Sequence, residues 1–275
     1  MLAKEDMETA SFYARNLVCH FTGRTAEQFL TQQSIYANEE ACEKIEQGVA
    51  RLLADEPLAY VLGQWEFYGM TLEVNKDVLI PRDDTCAVTD LAINAISQMD
   101  APRVLDLCTG SGCIGLAVAK AVPQARVVLA DLSKDALAVA KRNVSLNHLT
   151  SRVTCVSADA LAQPGKLLGE FDLIVSNPPY ITSLEMTQLP ASVKEYEPEM
   201  ALHGGDDGLI FYRAIAENYQ KILRPGGYLC FEFGMGQGDA VCRILEENGY
   251  TILERTRDYN DIERAVLARY HREED

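Results

Sequence analysis

The sequence lacks any long hydrophobic run, since no stretch approaches the roughly 18 consecutive apolar residues that a membrane-spanning helix needs. Its first ten residues, MLAKEDMETA, also lack the apolar segment that is typical of a secretory signal. We therefore predict that the protein has no membrane partner and is cytoplasmic.

Cysteine and histidine patterns typical of metal sites are also missing. The eight cysteines are scattered, and none forms a CxxC pair or a cysteine/histidine cluster with zinc-binding spacing. The four histidines have no partner acid or nucleophile nearby in the sequence. We predict reduced thiols and no metal site, and we assign no histidine to catalysis.

Basic residues are few relative to acidic ones. With 25 Lys and Arg against 41 Asp and Glu, the formal net charge is -16. Such a field repels nucleic-acid phosphate, whose binding normally needs a basic patch. We therefore predict no direct nucleic-acid partner and favour a basic protein, or a protein that itself binds nucleic acid through a basic surface.

The N-terminal residues 1–63 have the periodicity of helices. Apolar residues recur at helical spacing from Ala10 to Val18 and again from Ala41 to Leu53, with no strand pattern between them. Acidic residues outnumber basic ones in this region, so its solvated faces are acidic. The pattern predicts a small helical domain over residues 1–63.

The next segment has the aromatic and alternating apolar content of a β-hairpin. It reads GQWEFYGMTLEVNKDVLIPRDDT, from Gly63 to Thr85, with VNKD as the predicted turn and IPR as the predicted end. We interpret residues 64–84 as a hairpin connector between two domains.

From residue 85 to the C-terminus, apolar strand patterns alternate with helical ones. The predicted strands are 103–107, 126–130, 152–156, 171–176, 227–233, 251–254 and 264–270, separated by helical stretches. Such alternation is typical of βαβ units. We predict an α/β fold, with a doubly wound, mostly parallel, seven-stranded Rossmann-like sheet over residues 85–275.

A glycine-rich loop follows the first of these strands in the sequence DLCTGSGCIG. Gly110, Gly112 and Gly115 have G-x-G-x-x-G spacing, and Asp131 ends the next strand. Glycines allow close backbone approach to a ligand, and an acid at the second strand can bind ribose hydroxyls. With strand, helix and acid in register, a nucleoside cofactor is favoured over a turn that serves packing alone.

The charge of this loop bears on which cofactor it binds. Asp106 lies just before the loop, where its charge would oppose the pyrophosphate of a nicotinamide dinucleotide. S-adenosylmethionine has no phosphate, carries two positive groups and still offers a ribose diol to Asp131. Asp159, after the third strand, could bind the adenine amino group, and a helix N-cap is an equally good interpretation of it.

A rigid corner, NPPY, follows the fourth strand. Proline fixes φ, and the residue before proline is extended, so residues 177–180 cannot continue a helix. Because this corner leaves the same sheet edge as the glycine loop, it can hold an acceptor near the cofactor. A planar nitrogen can be oriented by giving its hydrogens to the Asn177 side-chain oxygen and the Pro178 carbonyl, while Pro179 aims that carbonyl and Tyr180 covers the flat group.

At this point the sequence resembles a known family. NPPY together with VLDLCTGSGCIGLAVA resembles methyltransferases that act on planar nitrogen. The stretches EPLAYVLGQWEFYGMTLEVNKDVLIPRDDT, YEPEMALHGGDDGLIFYRAI and LRPGGYLCFEFGMGQ narrow the resemblance to the release factor glutamine methyltransferases, the PrmC/HemK family. The resemblance implies methyl transfer from S-adenosylmethionine to the side-chain amide nitrogen (N5) of the glutamine in the GGQ motif of class 1 peptide chain release factors.

The resemblance also carries roles onto residues of this sequence. Together with the loop analysis, it assigns cofactor binding to Asp106, Cys108, Thr109, Gly110, Ser111, Gly112, Asp131, Asp159, Ala160 and Asn177. Catalysis is assigned to Asn177, Pro178 and Tyr180, and substrate binding to these three and Pro179. Separately from the resemblance, the acidic faces of the helical region and its position beside the site lead us to predict that it recognises the protein substrate.

Three departures from the family pattern and three alternatives stand beside this interpretation. Cys108 replaces a usual glycine, PRDDTC replaces a usual proline-acid-Thr-acid pattern, and DYNDIERAV near the C-terminus lacks a glycine often found there. A nucleic-acid methyltransferase acting on an exocyclic base amine would use the same corner, because a flipped base also offers a planar nitrogen. The other two alternatives are a nicotinamide-dependent oxidoreductase and a module that binds the cofactor without turnover.

Overall fold

The computed structural model describes residues 7–31 and 37–271. Residues 1–6 and 32–36 of the predicted helical region, and residues 272–275 of the predicted sheet region, lie outside the described residues.

The N-terminal region is helical, as predicted. Its helices are α1 (Met7–Thr22), α2 (Ala26–Thr31), α3 (Glu39–Leu53) and α4 (Leu58–Leu62). Asn38 begins α3 by accepting a hydrogen bond from the backbone N–H of Ala41, which satisfies one of the free donors at a helix start. A buried cluster of Leu17, Leu52, Leu58 and Val61 joins three of these helices.

The hairpin is present, but its turn is not where the sequence analysis placed it. Strands β1 (Gln64–Phe67) and β2 (Met70–Glu73) are antiparallel, with Phe67 opposite Met70. The hairpin turn is therefore Tyr68-Gly69. The VNKD stretch does contain a turn, in which the Val78 N–H donates to the Asn75 carbonyl at 3.1 Å, but this turn follows the hairpin and does not join its strands. Tyr68 and Gly69 have φ of 51° and 66°, the positive values that a two-residue hairpin turn of this hand requires.

Seven strands form the main sheet: β3 (Arg103–Leu107), β4 (Arg126–Asp131), β5 (Val153–Ser157), β6 (Phe171–Ser176), β7 (Leu223–Glu232), β8 (Tyr250–Arg257) and β9 (Glu263–Tyr270). Their spatial order is β5-β4-β3-β6-β7-β9-β8, and β9 runs antiparallel to both of its neighbours. This arrangement confirms the predicted doubly wound, mostly parallel sheet.

Helices cover both faces of this sheet: α5 (Cys86–Ile96), α6 (Cys113–Ala121), α7 (Lys134–Leu146), α10 (Ile210–Asn218) and α11 (Gly238–Glu247). One buried cluster contains Leu91, Val118 and Val144, and a second contains Tyr212 and Leu245. Two short helices, α8 (Ser183–Met186) and α9 (Ala191–Lys194), follow β6. Within the described residues, no helix combines the length and the apolar character that crossing a bilayer requires.

The helical region is attached to the sheet region through the connector and through the loop after α9. The Tyr60 hydroxyl donates to the backbone carbonyl of Val78 across 2.6 Å, and the Tyr196 hydroxyl donates to the carbonyl of Ala54 across 2.6 Å. Trp65 packs against apolar clusters from both parts. The α4 helix and the connector therefore link the N-terminal helices to the sheet.

We expect Gly115→Ala to destabilise the fold by roughly 1–3 kcal/mol, the usual cost of overpacking a buried site. A methyl group at Gly115 would lie 2.9 Å from Asp106 Oδ2 and would collide with the side chain of Leu129. Urea unfolding measures the effect. Gly165→Ala is the matched control, because a methyl group there meets nothing within 4 Å; equal stability of the two variants would contradict the packing argument.

Candidate active site

A cavity of about 520 Å³ lies at the carboxyl ends of β3, β4 and β6. Of the residues singled out from the sequence, seven line it: Cys108, Gly110, Asp131, Asp159, Ala160, Asn177 and Pro179. Residues of the glycine loop and of the NPPY corner therefore share one cavity. The other six, Asp106, Thr109, Ser111, Gly112, Pro178 and Tyr180, are not among its lining residues.

Asp106 acts on the loop from behind. Its carboxylate is fully buried, and Oδ2 accepts hydrogen bonds from the Thr109 hydroxyl (2.6 Å) and from the Gly115 backbone N–H (2.8 Å). Burial raises its pKa to about 7, and these two hydrogen bonds oppose that shift. Asp106 thus ties the loop to the first turn of α6.

Cys108, the departure from the family glycine, has a backbone φ of 60°. This left-handed conformation is costly for a residue with a side chain, which explains why glycine suits the position. Gly110 and Gly112 follow with φ of 54° and 86°. The loop therefore makes its left-handed turn with cysteine at this position, and burial raises the pKa of the Cys108 thiol so that it stays protonated.

Asp131 faces the cavity from the end of β4. One carboxylate oxygen accepts from the Gly110 N–H at 2.9 Å, and the other accepts from the Ser133 N–H at 2.9 Å. Burial raises its pKa, and these backbone hydrogen bonds oppose the shift. Asp131 therefore holds the glycine loop against β4 besides presenting a carboxylate to the cavity.

Asp159 lies in the loop after β5. Its side chain accepts a hydrogen bond from the Leu161 N–H at 2.9 Å, and its backbone carbonyl accepts from the Tyr219 hydroxyl at 3.0 Å. No helix begins here, so the helix N-cap interpretation is wrong.

Asn177 and the prolines leave the end of β6, directly across the cavity edge from the loop. The Asn177 side-chain Nδ2 lies 3.4 Å from Thr85 Oγ1, and Pro178 and Pro179 are buried. Tyr180 is enclosed by Gly204, Gly208 and Gly234, each so close to it that a side chain would collide. These contacts fix the path of the corner, and burial raises the pKa of Tyr180 to about 12.

The charged residues that line the cavity are acidic. Asp77, Asp131, Asp159 and Glu199 contribute carboxylates, His203 is also present, and none of the described lining residues is Lys or Arg. These acidic side chains fit a nucleoside with positive groups and no phosphate, such as S-adenosylmethionine. It does not fit the pyrophosphate of a nicotinamide dinucleotide, which basic residues or free backbone donors would have to bind.

The structure also adds residues that the sequence analysis did not assign. Leu132 and Leu161 flank the cavity as exposed apolar side chains, and Thr85 and Glu232 lie beside Asn177. A charged residue inside the apolar run GYLCFEF was a usable signal for Glu232. Arg82 and the buried Glu197 form an ion pair that ties the connector to the loop after α9.

Comparisons with known proteins agree with this architecture. Residues 82–193 match the family described as "Methyltransferase small domain", and residues 1–63 match the "PrmC N-terminal domain". A solved methyltransferase from Pyrococcus furiosus has a TM-score of 0.54 at 16% identity, covering 82% of this chain and all (100%) of that one. That likeness shows the fold.

Two curated relatives are closer in sequence. A release factor glutamine methyltransferase of Clostridium acetobutylicum is 41% identical over 212 residues, covering 77% of this chain and 74% of that protein. One of Thermodesulfovibrio yellowstonii is 34% identical over 256 residues, covering 92% and 90%.

The Rossmann-like sheet, the glycine loop and the acidic cavity define a methyltransferase that uses S-adenosylmethionine as its methyl donor. Within that class, the chain belongs to the release factor glutamine methyltransferase family.

We expect Asp131→Ala to weaken S-adenosylmethionine binding by roughly 1–3 kcal/mol, because ribose hydroxyls would lose a charged acceptor and the loop would lose its tie to β4. Isothermal titration calorimetry measures the change. Asp135→Ala removes an exposed carboxylate in the first turn of α7 and controls for net charge. An unchanged dissociation constant for Asp131→Ala would place the ribose elsewhere.

Proposed function

We propose that this protein methylates the side-chain amide nitrogen (N5) of the glutamine in the GGQ motif of class 1 peptide chain release factors. The observation that carries the proposal is the position of Asn177 and Pro179 in the wall of the same cavity as Asp131 and Asp159. The names of the curated relatives support the choice of substrate. A release factor substrate implies a cytoplasmic location.

The proposed roles at the corner follow from the chemistry of an amide. An amide nitrogen is a weak nucleophile because its lone pair is delocalised, so most of the work is positioning the reacting atoms about 3–3.5 Å apart. The Asn177 side-chain oxygen and the Pro178 carbonyl accept the two N–H groups, which turns the nitrogen toward the cofactor side of the cavity. Pro179 keeps that carbonyl aimed, and Tyr180 covers the planar group.

The cavity residues opposite the NPPY corner would hold the cofactor. When bound, S-adenosylmethionine would supply an electrophilic methyl group carried on a positively charged sulfur. Asp131 binds the ribose, and Asp159 and Ala160 border the adenine. The loop from Cys108 to Gly112, fixed by Asp106, brings its backbone close to the ligand.

The test of this function is mass spectrometry of a recombinant release factor after incubation with the protein and labelled S-adenosylmethionine. We expect Asn177→Ala to lose most activity while its cofactor dissociation constant stays within tenfold, because the side chain is assigned to the acceptor amide. Equal losses of both would contradict that assignment. An oligonucleotide incubated in parallel tests the base-amine alternative, and methylation of it with none on the release factor would overturn the proposal.

We also propose a division of labour along the chain. Residues 1–63 recognise the protein substrate, residues 64–84 connect the two domains, and residues 85–275 carry out methyl transfer. A second cavity, of about 720 Å³, supports this division because it lies between α1 and the hairpin and reaches Asp83, next to Arg82 of the connector. His20 and Gln64, 3.0 Å apart, join its two sides.

We expect Phe12→Ser in this second cavity to raise KM for the release factor roughly three- to tenfold, the equivalent of about 1 kcal/mol of apolar burial. The values of kcat and of the cofactor dissociation constant should not change. Steady-state methylation kinetics measure KM and kcat separately. Leu30→Ser is the control, since Leu30 is an exposed apolar residue of the same region outside that cavity. A KM that Phe12→Ser leaves unaltered would remove the recognition role from this cavity.

A further inference from the structure

Glu232 is a buried acid at the active-site end of β7. Only 2% of it is exposed, and its neighbours Phe231 and Phe233 are fully buried. Strand register explains its position: Ser176 of β6 pairs with Phe231 of β7, so the next residues along the two strands are Asn177 and Glu232. Glu232 therefore lies beside the corner by virtue of the sheet itself.

The contacts of this carboxylate are incomplete. The side chains of Thr85 and Asn177 hydrogen-bond to it, while Oε2 has no hydrogen-bond partner among the described residues. Arg264, whose charge acts on Glu232, binds Asp84 at 3.1 Å and Asp258 at 2.9 Å. A buried carboxylate with one unpartnered oxygen costs folding free energy. That cost calls for a functional explanation.

We propose that Glu232 is a positioning residue that determines which end of the Asn177 amide faces the acceptor substrate. An asparagine amide has an oxygen end and an NH2 end of nearly equal size, and its hydrogen-bond partners determine the orientation. An ionised carboxylate only accepts hydrogen bonds, so it selects the NH2 end. The oxygen end is then left for the N–H of the substrate amide.

Thr85 strengthens this selection. Its hydroxyl has one hydrogen to donate, and donation to Glu232 leaves only lone pairs to face Asn177. The Asn177 Nδ2 lies 3.4 Å from that hydroxyl oxygen. Both neighbours therefore favour the same orientation of the amide. This inference rests on the proposed function, in which the Asn177 oxygen accepts from the substrate.

The orientation depends on the ionisation of Glu232, which burial opposes. Burial raises its pKa to about 7, and the hydrogen bonds from Thr85 and Asn177 together with the charge of Arg264 oppose that shift. The other titratable groups around it, from each element packed against it, are Asp84, Cys86, Cys113, Tyr180 and Tyr212. Once protonated, the acid can donate a hydrogen bond and no longer selects the NH2 end.

The test uses Glu232→Gln in the full-length protein. We expect kcat to fall at least roughly tenfold, a loss typical of disturbed positioning, with KM and the cofactor dissociation constant within about threefold of wild type. Thermal unfolding should occur at higher temperature than in wild type, because a buried charge has been removed. Glu254→Gln, at an exposed acid of β8, controls for net charge. Lower kcat together with lower thermal stability and weaker cofactor binding would show a merely structural role and overturn the proposal.

The pH profile is the second readout. In wild type, kcat should fall as the pH drops through about 7, because the carboxylate is the active form and its pKa is raised. In Glu232→Gln the part of that step that comes from Glu232 should be gone, so the ratio of wild-type kcat to variant kcat should rise as the pH increases through about 7. Asp106, whose pKa burial also raises to about 7, is present in both proteins, so its effect cancels from that ratio. A ratio that does not change with pH would overturn the proposal.

An NMR measurement without substrate separates this inference from the proposed function. The side-chain NH2 signals of Asn177, assigned by their loss in Asn177→Ala, should titrate with a midpoint near pH 7 in wild type and not in Glu232→Gln. That result without any methylation of a release factor would reject the proposed function and leave the orientation of Asn177 intact. Signals that are the same in the two proteins at every pH would overturn the role of Glu232.

Discussion

The parallel register of β3, β6 and β7 is the constraint on which the rest of the site depends. Leu107 pairs with Ser176, and Ser176 pairs with Phe231, so the three strands end level with one another. The Ser176 hydroxyl donates to the Leu107 carbonyl at 2.6 Å inside the core, which fixes the β3 and β6 ends together. A slip of one residue would turn every side chain to the opposite face and separate the glycine loop from the corner.

The same edge concentrates negative charge. Asp131 and Asp159 face the cavity, and the fully buried Asp106 and Glu232 lie behind it. Burial raises the pKa of both Asp106 and Glu232 to about 7, above the ordinary value near 4 for carboxyl groups. The folded chain therefore binds more protons through these two groups than the unfolded chain between about pH 4 and pH 7. Their contribution makes the free energy of unfolding fall as pH rises through that range.

Much of this architecture follows from local sequence patterns. Short apolar runs predicted the strands, and helical spacing predicted the helices, because the central strands are buried on both faces and the helices on one. The hairpin turn was misplaced because VNKD has turn-like residues, whereas positive φ at Tyr68 and Gly69 governs the turn. From the sequence, Asp159 could be either an adenine-binding residue or a helix N-cap. The N-cap interpretation was excluded only by the structure, in which a loop follows Asp159. Thr85 and Glu232 lie 147 positions apart in the numbering and meet only through the sheet, so no local pattern pairs them.

This edge of the sheet selects a positively charged nucleoside without phosphate. Parallel calorimetric titrations of the full-length protein with S-adenosylmethionine and with NAD measure that selectivity. We expect saturable one-to-one binding of S-adenosylmethionine and no heat above dilution with NAD at the same concentrations. Binding of NAD with comparable affinity would show that the acidic cavity does not exclude phosphate.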